Sequence, residues 1–359
     1  MNILHIVPAL ESGGVETGTI DLALHLKKLG NNITVVSSGG VLAGILEQNG
    51  ITHIKLPVHR KSISALFLVP KIKRILKIHH IDIVHASSRV PAWIGFLACK
   101  LTGTPFVTSC HGFYSRHALS RIMGRGKLVI VISESIKQRM VEAFNVPEEK
   151  TRLVYRGLDL AEYPYCPDKH AGGEDKFIII NIARLTPIKG QREFIEAMER
   201  VLRVTKHAEA WIVGGVEAGK EYYLQQLKDL AQKLKIEKNI KFLGRRNDVL
   251  KLLKEADCLV LSTNIPEGFG RVVIEAGAAG TPVCAADAGG VKEIVASGIS
   301  GLLFPPKDPA KMAETIIKMA GDPAFRIKCA ENLRKKVEEN FTVEKMARRT
   351  LAVYEEALR

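Results

Sequence analysis

The sequence predicts an α/β protein of two tandem doubly wound domains, and three observations lead to this prediction. The chain has 359 residues, more than one domain usually holds. Short apolar segments alternate with segments of helical period, which is typical of a parallel sheet covered on both faces. A polar stretch with two prolines and two glycines, YPYCPDKHAGGEDK, interrupts this alternation, which then starts again. We therefore place a linker there.

The first domain is predicted over residues 1–163. It opens with the strand NILHIV, the Gly13-Gly14 turn, the helix VETGTIDLALHLKKLG and the strand NITVVS. Three more apolar segments, IDIVHA, TPFVTSC and KLVIVIS, continue the sheet. Because these segments lack a polar alternation, we expect strands that are buried on both faces.

The second domain is predicted over residues 164–341, and it begins with FIIINIARL and a turn containing Pro187 and Gly190. Residues 342–359 have helical period and could form a helix that packs back on the N-terminal domain. Open parallel sheets bind ligands beyond the carboxyl ends of their strands, so two such domains predict a cleft between them. Within the second domain, after the opening strand and turn, predicted helices and strands alternate through QREFIEAMERVLRV, AEAWIVGG, EYYLQQLKDLAQKL, NIKFLG, VLKLLKEA, CLVLST and TPVCAA.

The net charge of +14 is concentrated near the N-terminus, because residues 1–130 carry 15 Lys and Arg against 5 Asp and Glu. Such a surface attracts anionic lipid, nucleic acid or a phosphorylated substrate, and a soluble protein of high pI is the alternative. In PKIKRILKIHH, Ile72, Ile75 and Leu76 have helical spacing among basic residues, so one face can pack while the other meets anionic headgroups. An ordinary crossover helix with a solvated basic face is the competing interpretation.

Several protein classes are disfavoured by what the sequence lacks. The six cysteines form no C-x-x-C, and we expect a reducing cytoplasm without structural zinc or disulfides. We expect neither a signal peptide nor a transmembrane span. The segment GGVEAGKE matches G-x-x-x-x-G-K, but Glu221 stands where a P-loop needs Ser or Thr. Neither the dinucleotide fingerprint G-x-G-x-x-G nor a metal-binding D-x-D occurs, so we predict no metal site and no cofactor.

Two charged pairs follow predicted strands. Arg184 and Lys189 come after FIIINIA and could clamp a diphosphate without a metal ion, with two solvated loop cations as the alternative. Glu267 and Glu275 stand eight residues apart in PEGFGRVVIEAGAAGTPV, across a glycine-rich turn. The Gly13-Gly14 turn and this second turn each precede a helix, whose N-terminal amides suit phosphate oxygens.

With these motifs in this order, the sequence resembles the retaining glycosyltransferases of family 4. That resemblance implies the GT-B fold of two Rossmann-like domains, and transfer of a sugar from a nucleoside-diphosphate sugar to an acceptor hydroxyl without metal. The second half carries it most specifically, in NIARLTPIKG, LVLSTNIPEGFGRVVIEAGAAGTPVCAADAGGVKEIV and SGISGLLFPPKDP. The first half adds the Gly13-Gly14 loop, IDIVHASS, TSCHGF, VISES and VYRGLDLAEY.

The resemblance also implies residue roles. Glu267 lies beside the hydroxyls of the transferred sugar, and Glu275 accepts hydrogen bonds from the ribose hydroxyls. One departure is Arg156, which stands where the family commonly has Asn and could reach a phosphate or an acidic acceptor. The implied catalytic residues are His111 beside the sugar, Glu267, Arg184 and Lys189; the implied donor-binding residues are Gly14, Arg184, Lys189, Gly268, Phe269, Gly270, Arg271 and Glu275.

The expected partners are a nucleotide sugar, a glycan or lipid-linked acceptor and an anionic membrane surface, with no nucleic acid. The basic half and the resemblance favour a cytoplasmic enzyme of bacterial envelope glycan synthesis, of the lipopolysaccharide type, peripheral on the inner face of the membrane. A nucleotide-sugar-binding pseudoenzyme and a nucleotide-sugar epimerase of the same fold are the alternatives. An epimerase would change the donor when no acceptor is present.

Overall fold

The computed structural model describes residues 1–11, 13–60, 63–165, 176–217 and 219–359. The chain forms two compact units, unit 1 from Met1–Asp159 with Asn340–Arg359 and unit 2 from Leu160–Glu339. The boundaries predicted from sequence, at residues 163 and 341, lie a few residues from these. Most of the predicted linker, residues 166–175, lies outside the described residues.

Unit 1 contains seven strands: β1 (Asn2–Ile6), β2 (Asn32–Ser37), β3 (Thr52–Lys55), β4 (Ile83–Ala86), β5 (Phe106–Cys110), β6 (Leu128–Val131) and β7 (Thr151–Leu153). They form one parallel sheet in the order β3-β2-β1-β4-β5-β6-β7. The direction of winding therefore reverses between β1 and β4, which is the switch point of a doubly wound sheet. The helices that connect the strands are α1 (Gly14–Lys28), α2 (Ala43–Gln48), α3 (Val69–Ile78), α4 (Arg89–Thr102) and α5 (Glu134–Phe144).

Unit 2 repeats this topology with six strands: β8 (Phe177–Ile182), β9 (Ala208–Val213), β10 (Ile240–Gly244), β11 (Cys258–Leu261), β12 (Val283–Ala286) and β13 (Leu302–Phe304). Their order, β10-β9-β8-β11-β12-β13, places the switch point between β8 and β11. The two parallel sheets with their helices confirm the predicted fold class. The helices of unit 2 are α6 (Gln191–Val204), α7 (Glu221–Lys233), α8 (Val249–Glu255), α9 (Arg271–Ala279), α10 (Val291–Ile294), α11 (Pro309–Gly321) and α12 (Pro323–Asn340).

The last helix, α13 (Val343–Leu358), belongs to unit 1. The Thr342 side chain caps its N-terminus by accepting a hydrogen bond from the Lys345 amide. Its inner face is apolar and packs on α1, and Val343, Val353 and Tyr354 are part of the core of unit 1. The C-terminal helix thus adds buried apolar side chains to the core of unit 1, which is otherwise formed by the N-terminal part of the chain.

Helix α3 contains the basic segment singled out in the sequence. Its apolar side packs on α4, where Ile72 is fully buried and Leu76 nearly so. Lys71, Arg74 and Lys77 are exposed. Among the described residues, none of the helices is both long enough and apolar enough to cross a bilayer.

Candidate functional site

The loop after β8 carries Arg184 and Lys189, and its backbone is held by neighbouring side chains. Gly190 has φ +70°, and a Cβ there would lie 1.9 Å from the carbonyl oxygen of Ser262, so only glycine fits. The Ser262 hydroxyl donates to the Lys189 carbonyl at 2.8 Å, and the side-chain Nε2 of Gln191 donates to the Arg184 carbonyl at 3.0 Å. These contacts therefore hold the backbone of Arg184 and Lys189 in place.

Lys189 contacts the first glutamate of the predicted motif. Its Nζ lies 2.6 Å from Glu267 Oε2, and the side chains are only 25% and 21% exposed. The backbone of Glu267 is held by the loop after β12, because the Gly290 amide donates to its carbonyl at 2.9 Å and its own amide donates to the Ala288 carbonyl. Gly289, at φ +71°, passes so close that a Cβ would lie 2.2 Å from the Glu267 carbonyl oxygen.

The second glutamate lies on α9, which begins at Arg271 directly after Gly270 at φ +99°. Glu275 is therefore in the second turn of the helix. Arg271 Nε donates to Glu275 Oε1 at 2.9 Å, and both side chains are about one-sixth exposed. Phe269 is only 3% exposed, so its ring supports the loop from within unit 2. A contact between Phe269 and a donor sugar stays a prediction.

Arg184 has a carboxylate partner that the sequence did not indicate. Its Nη1 donates to Glu217 Oε1 at 2.7 Å, and Glu217 also accepts from Lys220 Nζ at 2.5 Å. The hydrogen bonds from Lys220 and Arg184 lower the pKa of the Glu217 carboxyl. Glu217 follows β9, the strand beside β8, within the segment that resembles a P-loop. Only Nη1 of Arg184 contacts this carboxylate, and the guanidinium has further N–H groups that can donate to a ligand.

The segments that follow β8, β9 and β11 thus carry a charge cluster of three ion pairs in unit 2. Three cations, Arg184, Lys189 and Arg271, each contact a carboxylate, on Glu217, Glu267 and Glu275 respectively. Cations of this kind bind phosphate oxygens, and carboxylates accept hydrogen bonds from pairs of hydroxyls. The arrangement suits a ligand that carries both a pair of hydroxyl groups and a phosphate group.

In unit 1, Gly14 and His111 are linked through Arg156. Arg156 is 7% exposed, and its Nη2 donates to the Gly14 carbonyl in the first turn of α1. Its Nη1 donates to Nδ1 of His111 at 3.5 Å. A Cβ at Gly18 would lie 2.8 Å from the guanidinium carbon, so the glycine makes room for this side chain. Arg156 is therefore held inside unit 1 by two contacts. One is with His111, which directly follows β5, and the other is with Gly14 at the start of α1.

Behind His111 lies a buried polar network. The rings of His5 and His85 stack at 4.3 Å, and His5 Nε2 lies 2.7 Å from the Ser87 hydroxyl. His85 Nδ1 lies 2.7 Å from the Tyr354 hydroxyl of α13, and its Nε2 contacts the Ser109 hydroxyl. The histidines and serines of this network, with His111 and Arg156 but not Tyr354, line a cavity of about 30 Å³.

Burial keeps the three histidines of this network neutral. Desolvation lowers the pKa of His5 to about 3, with the charge of Arg156 as the second cause. The pKa values of His85 and His111 also lie well below the usual histidine range, mainly through burial. The sequence offered one signal of this network, since His5 and His85 each interrupt an apolar strand, and the two residues are direct register partners.

Two family models match the chain. The first is described as Glycosyltransferase Family 4 and matches residues 12–162. The second is described as Glycosyl transferases group 1 and matches residues 167–336. Together they cover both units.

The chain is also similar to two curated proteins over most of its length. It is 30% identical to a putative glycosyltransferase, YtcC, of Bacillus subtilis, across 79% of this chain and 74% of that protein. It is 27% identical to an uncharacterized glycosyltransferase of Methanocaldococcus jannaschii, across 96% of this chain and 95% of that protein.

Among solved structures, a glycosyltransferase from Rickettsia africae has a TM-score of 0.89 at 29% identity, covering 100% of this chain and 98% of that one. The Anabaena protein HepE, solved in complex with UDP and glucose, has a TM-score of 0.86 at 26% identity. That match covers 98% of this chain and 99% of HepE.

Proposed function

Because the chain belongs to the group 1 glycosyltransferases of family 4, we propose that it transfers a sugar from a nucleoside-diphosphate sugar to an acceptor hydroxyl, with retention and without a divalent metal ion. The observation that carries this proposal is the charge cluster of unit 2. Two partly buried carboxylates, Glu267 and Glu275, are each paired with a cation there, and Arg184 lies on the same loop as Lys189. We assign Glu275 to the ribose, Glu267 to the transferred sugar, and Arg184 with Lys189 to the diphosphate.

The chemistry follows from where charge develops. As the bond between the anomeric carbon and the phosphate oxygen breaks, its electron pair goes to the diphosphate and the sugar becomes cationic. Arg184 and Lys189 stabilise the leaving group, which is why a metal ion is not needed in this proposal. The acceptor oxygen then bonds to the same face of the anomeric carbon, and its proton passes to the leaving phosphate oxygen. That order of events gives retention.

The first donor to test is a uridine diphosphate sugar, since HepE was solved with UDP and glucose. Incubation of the protein with UDP-glucose and saturating chelator should release UDP slowly, and faster when an acceptor is added. Turnover that disappears in chelator and returns with magnesium would contradict metal independence. A donor that is converted into a different UDP-sugar would favour an epimerase, and binding without turnover would favour a pseudoenzyme.

Lys189→Ala should weaken binding of the nucleoside diphosphate by about 2 to 4 kcal/mol, because a partly buried phosphate loses a charge-assisted partner. Arg184→Ala should cost less, roughly 1 kcal/mol, because its side chain is 66% exposed and water screens the contact. Isothermal titration calorimetry with UDP measures both. An unchanged dissociation constant for Lys189→Ala would place this residue outside the site.

The acceptor side of the proposal rests on unit 1. Residues 48–133 contain 13 Lys and Arg but a single acidic residue, Asp82. Exposed apolar side chains accompany these cations, with Phe67 79% and Leu66 43% exposed just before α3. Cations around exposed apolar groups suit a bilayer with anionic lipids. We therefore propose an envelope glycan or lipid-linked acceptor, met by a cytoplasmic protein peripheral to the inner face of the membrane.

Vesicle co-sedimentation tests this surface. The protein should bind vesicles of mixed phosphatidylglycerol and phosphatidylcholine more strongly than pure phosphatidylcholine, and Phe67→Ser should weaken binding several-fold because an inserted ring is lost. The double variant Lys71→Glu/Arg74→Glu should remove the preference for anionic lipid. Val204→Ser is the matched control, since Val204 is an exposed apolar residue of unit 2. Equal binding to both vesicles, or to neither, would refute the proposal.

A further inference from the structure

The contact between Arg156 and His111 determines which ring nitrogen of His111 carries the proton. A guanidinium has only donors, so the nitrogen that it contacts must offer a lone pair. Arg156 Nη1 contacts Nδ1 of His111 at 3.5 Å, and therefore the neutral ring has its proton on Nε2. His111 Nε2 is itself buried and has no hydrogen-bond partner within the part of the chain that the structure describes. An N–H donor is thus left available for a ligand atom.

The surroundings of His111 also keep its ring neutral. Burial and the nearby charge of Arg156 lower its pKa well below the usual range, with a smaller contribution from His5. A second proton would have to be placed on Nδ1, directly against the guanidinium. The titratable and charged groups that face His111 from the packed elements are His5 of β1, His85 of β4, Tyr114 of its own loop and Arg156, with Tyr354 of α13 beyond His85.

We propose that Arg156 is a positioning residue that fixes His111 as the neutral tautomer protonated at Nε2, so that His111 meets its ligand as a hydrogen-bond donor and not as a proton acceptor. The matching ligand atom is an oxygen with a free lone pair, and in the reaction proposed above, on which this step rests, it is a hydroxyl or ring oxygen of the donor sugar. Two features of the sequence then have one explanation. Arginine is long enough to reach both Gly14 and His111, and Gly18 lacks the Cβ that would displace it.

The tautomer can be observed without any substrate, so this test is independent of whether the protein transfers sugar. Long-range nitrogen–proton correlation spectra of histidine-labelled protein distinguish a protonated from an unprotonated ring nitrogen. We expect His111 to be protonated at Nε2 and to stay neutral as the pH falls from about 8 to about 5.5. In Arg156→Met, a variant of similar length, the Nε2 preference should weaken and the pKa of His111 should rise.

Two further variants keep the inference falsifiable if Arg156→Met folds poorly. Gly18→Ala retains the arginine but displaces its guanidinium, and it should change the His111 signals in the same direction. Tyr354→Phe is the matched control, since it removes the partner of His85 Nδ1 and should shift the His85 signals but leave the His111 tautomer unchanged. A His111 ring protonated at Nδ1 in the unaltered protein, or His111 signals that Gly18→Ala and Arg156→Met both leave unchanged, would overturn the proposal.

If transfer activity is measurable, the pH dependence of turnover gives a second readout. Arg156→Met should move the acid-side loss of turnover to higher pH than in the unaltered protein, because the ring takes up a proton more readily once the charge of Arg156 is gone, although burial still lowers its pKa. A merely structural role for Arg156 would lower turnover equally at all pH values, and that result would contradict the inference.

Discussion

Glu267→Ala should lower turnover by about 10²- to 10³-fold and leave the donor Michaelis constant within a few-fold of its original value. The reason is that Glu267 is assigned to the sugar that becomes cationic, where a carboxylate counts more in the transition state than in the ground state. In the free protein its charge is paired with Lys189 at 2.6 Å. We expect the incoming diphosphate to take over Lys189, which leaves the Glu267 carboxylate to face the sugar.

Glu275→Ala is the comparison that makes this result informative. Glu275 is assigned to the ribose, which hardly changes during bond cleavage, so its loss should raise the donor Michaelis constant by about tenfold or more with little change in turnover. Both variants must first be shown to be folded, because each leaves a cation, Lys189 or Arg271, without its carboxylate partner. Steady-state kinetics with varied donor then decide. Turnover lost at Glu275 and only binding lost at Glu267 would mean that the two roles are exchanged.

The stability of unit 1 should fall by roughly 3 to 4 kcal/mol between about pH 7 and about pH 5.5. His5, His85 and His111 are neutral when folded because burial depresses their pKa values, whereas they titrate near 6.5 when unfolded. Because the unfolded chain binds more protons, the stabilisation is fully present above about pH 7 and is lost as the pH falls toward the folded values. Each neutral histidine contributes roughly 1 kcal/mol to the loss in this window.

The two tryptophans allow this loss to be measured in unit 1 alone, since Trp93 lies in unit 1 and Trp211 in unit 2. In a Trp211→Phe background, urea unfolding followed by Trp93 fluorescence gives the free energy of unfolding at each pH. His85→Gln should reduce the loss by about one-third, because one of the three buried titrating groups is removed. The control His80→Asn removes an exposed histidine and should leave the loss unchanged. A free energy of unfolding that is constant across this window would contradict the prediction.

The fold was predictable because its signals are local. Buried strands such as Cys258–Leu261 and Val283–Ala286 appear in the sequence as continuous apolar segments, and glycine marks the start of α9. The edge strands β3, β7 and β13 were missed, since β3 is half-exposed with no apolar run and β7 and β13 have only three residues each. Such short or half-exposed edge strands depend on pairing with a neighbour, which has no local sequence signature, whereas the five-residue edge strand β10 was predicted from NIKFLG.

The candidate site was predictable in its members but not in their contacts. Motif spacing indicated Arg184, Lys189, Glu267 and Glu275, but not that Glu217 would pair with Arg184 or that Gly289 would hold the Glu267 backbone. Both contacts join loops that follow neighbouring strands, and they are therefore set by the strand order. Tyr354 contacts His85 from helix α13, 269 residues away along the chain, and motif spacing carries no signal of such a contact.

The central claim, transfer with retention and without metal, is tested most directly by the anomeric form of the first product. UDP-α-glucose is incubated with the protein and saturating chelator, and proton NMR follows the glucose released before it mutarotates. A retaining glycosyltransferase should release glucose initially as the α anomer, together with UDP. Glu267→Ala should abolish the α-glucose signal. β-Glucose as the first product would contradict retention, and a signal that appears only after magnesium is added would contradict metal independence.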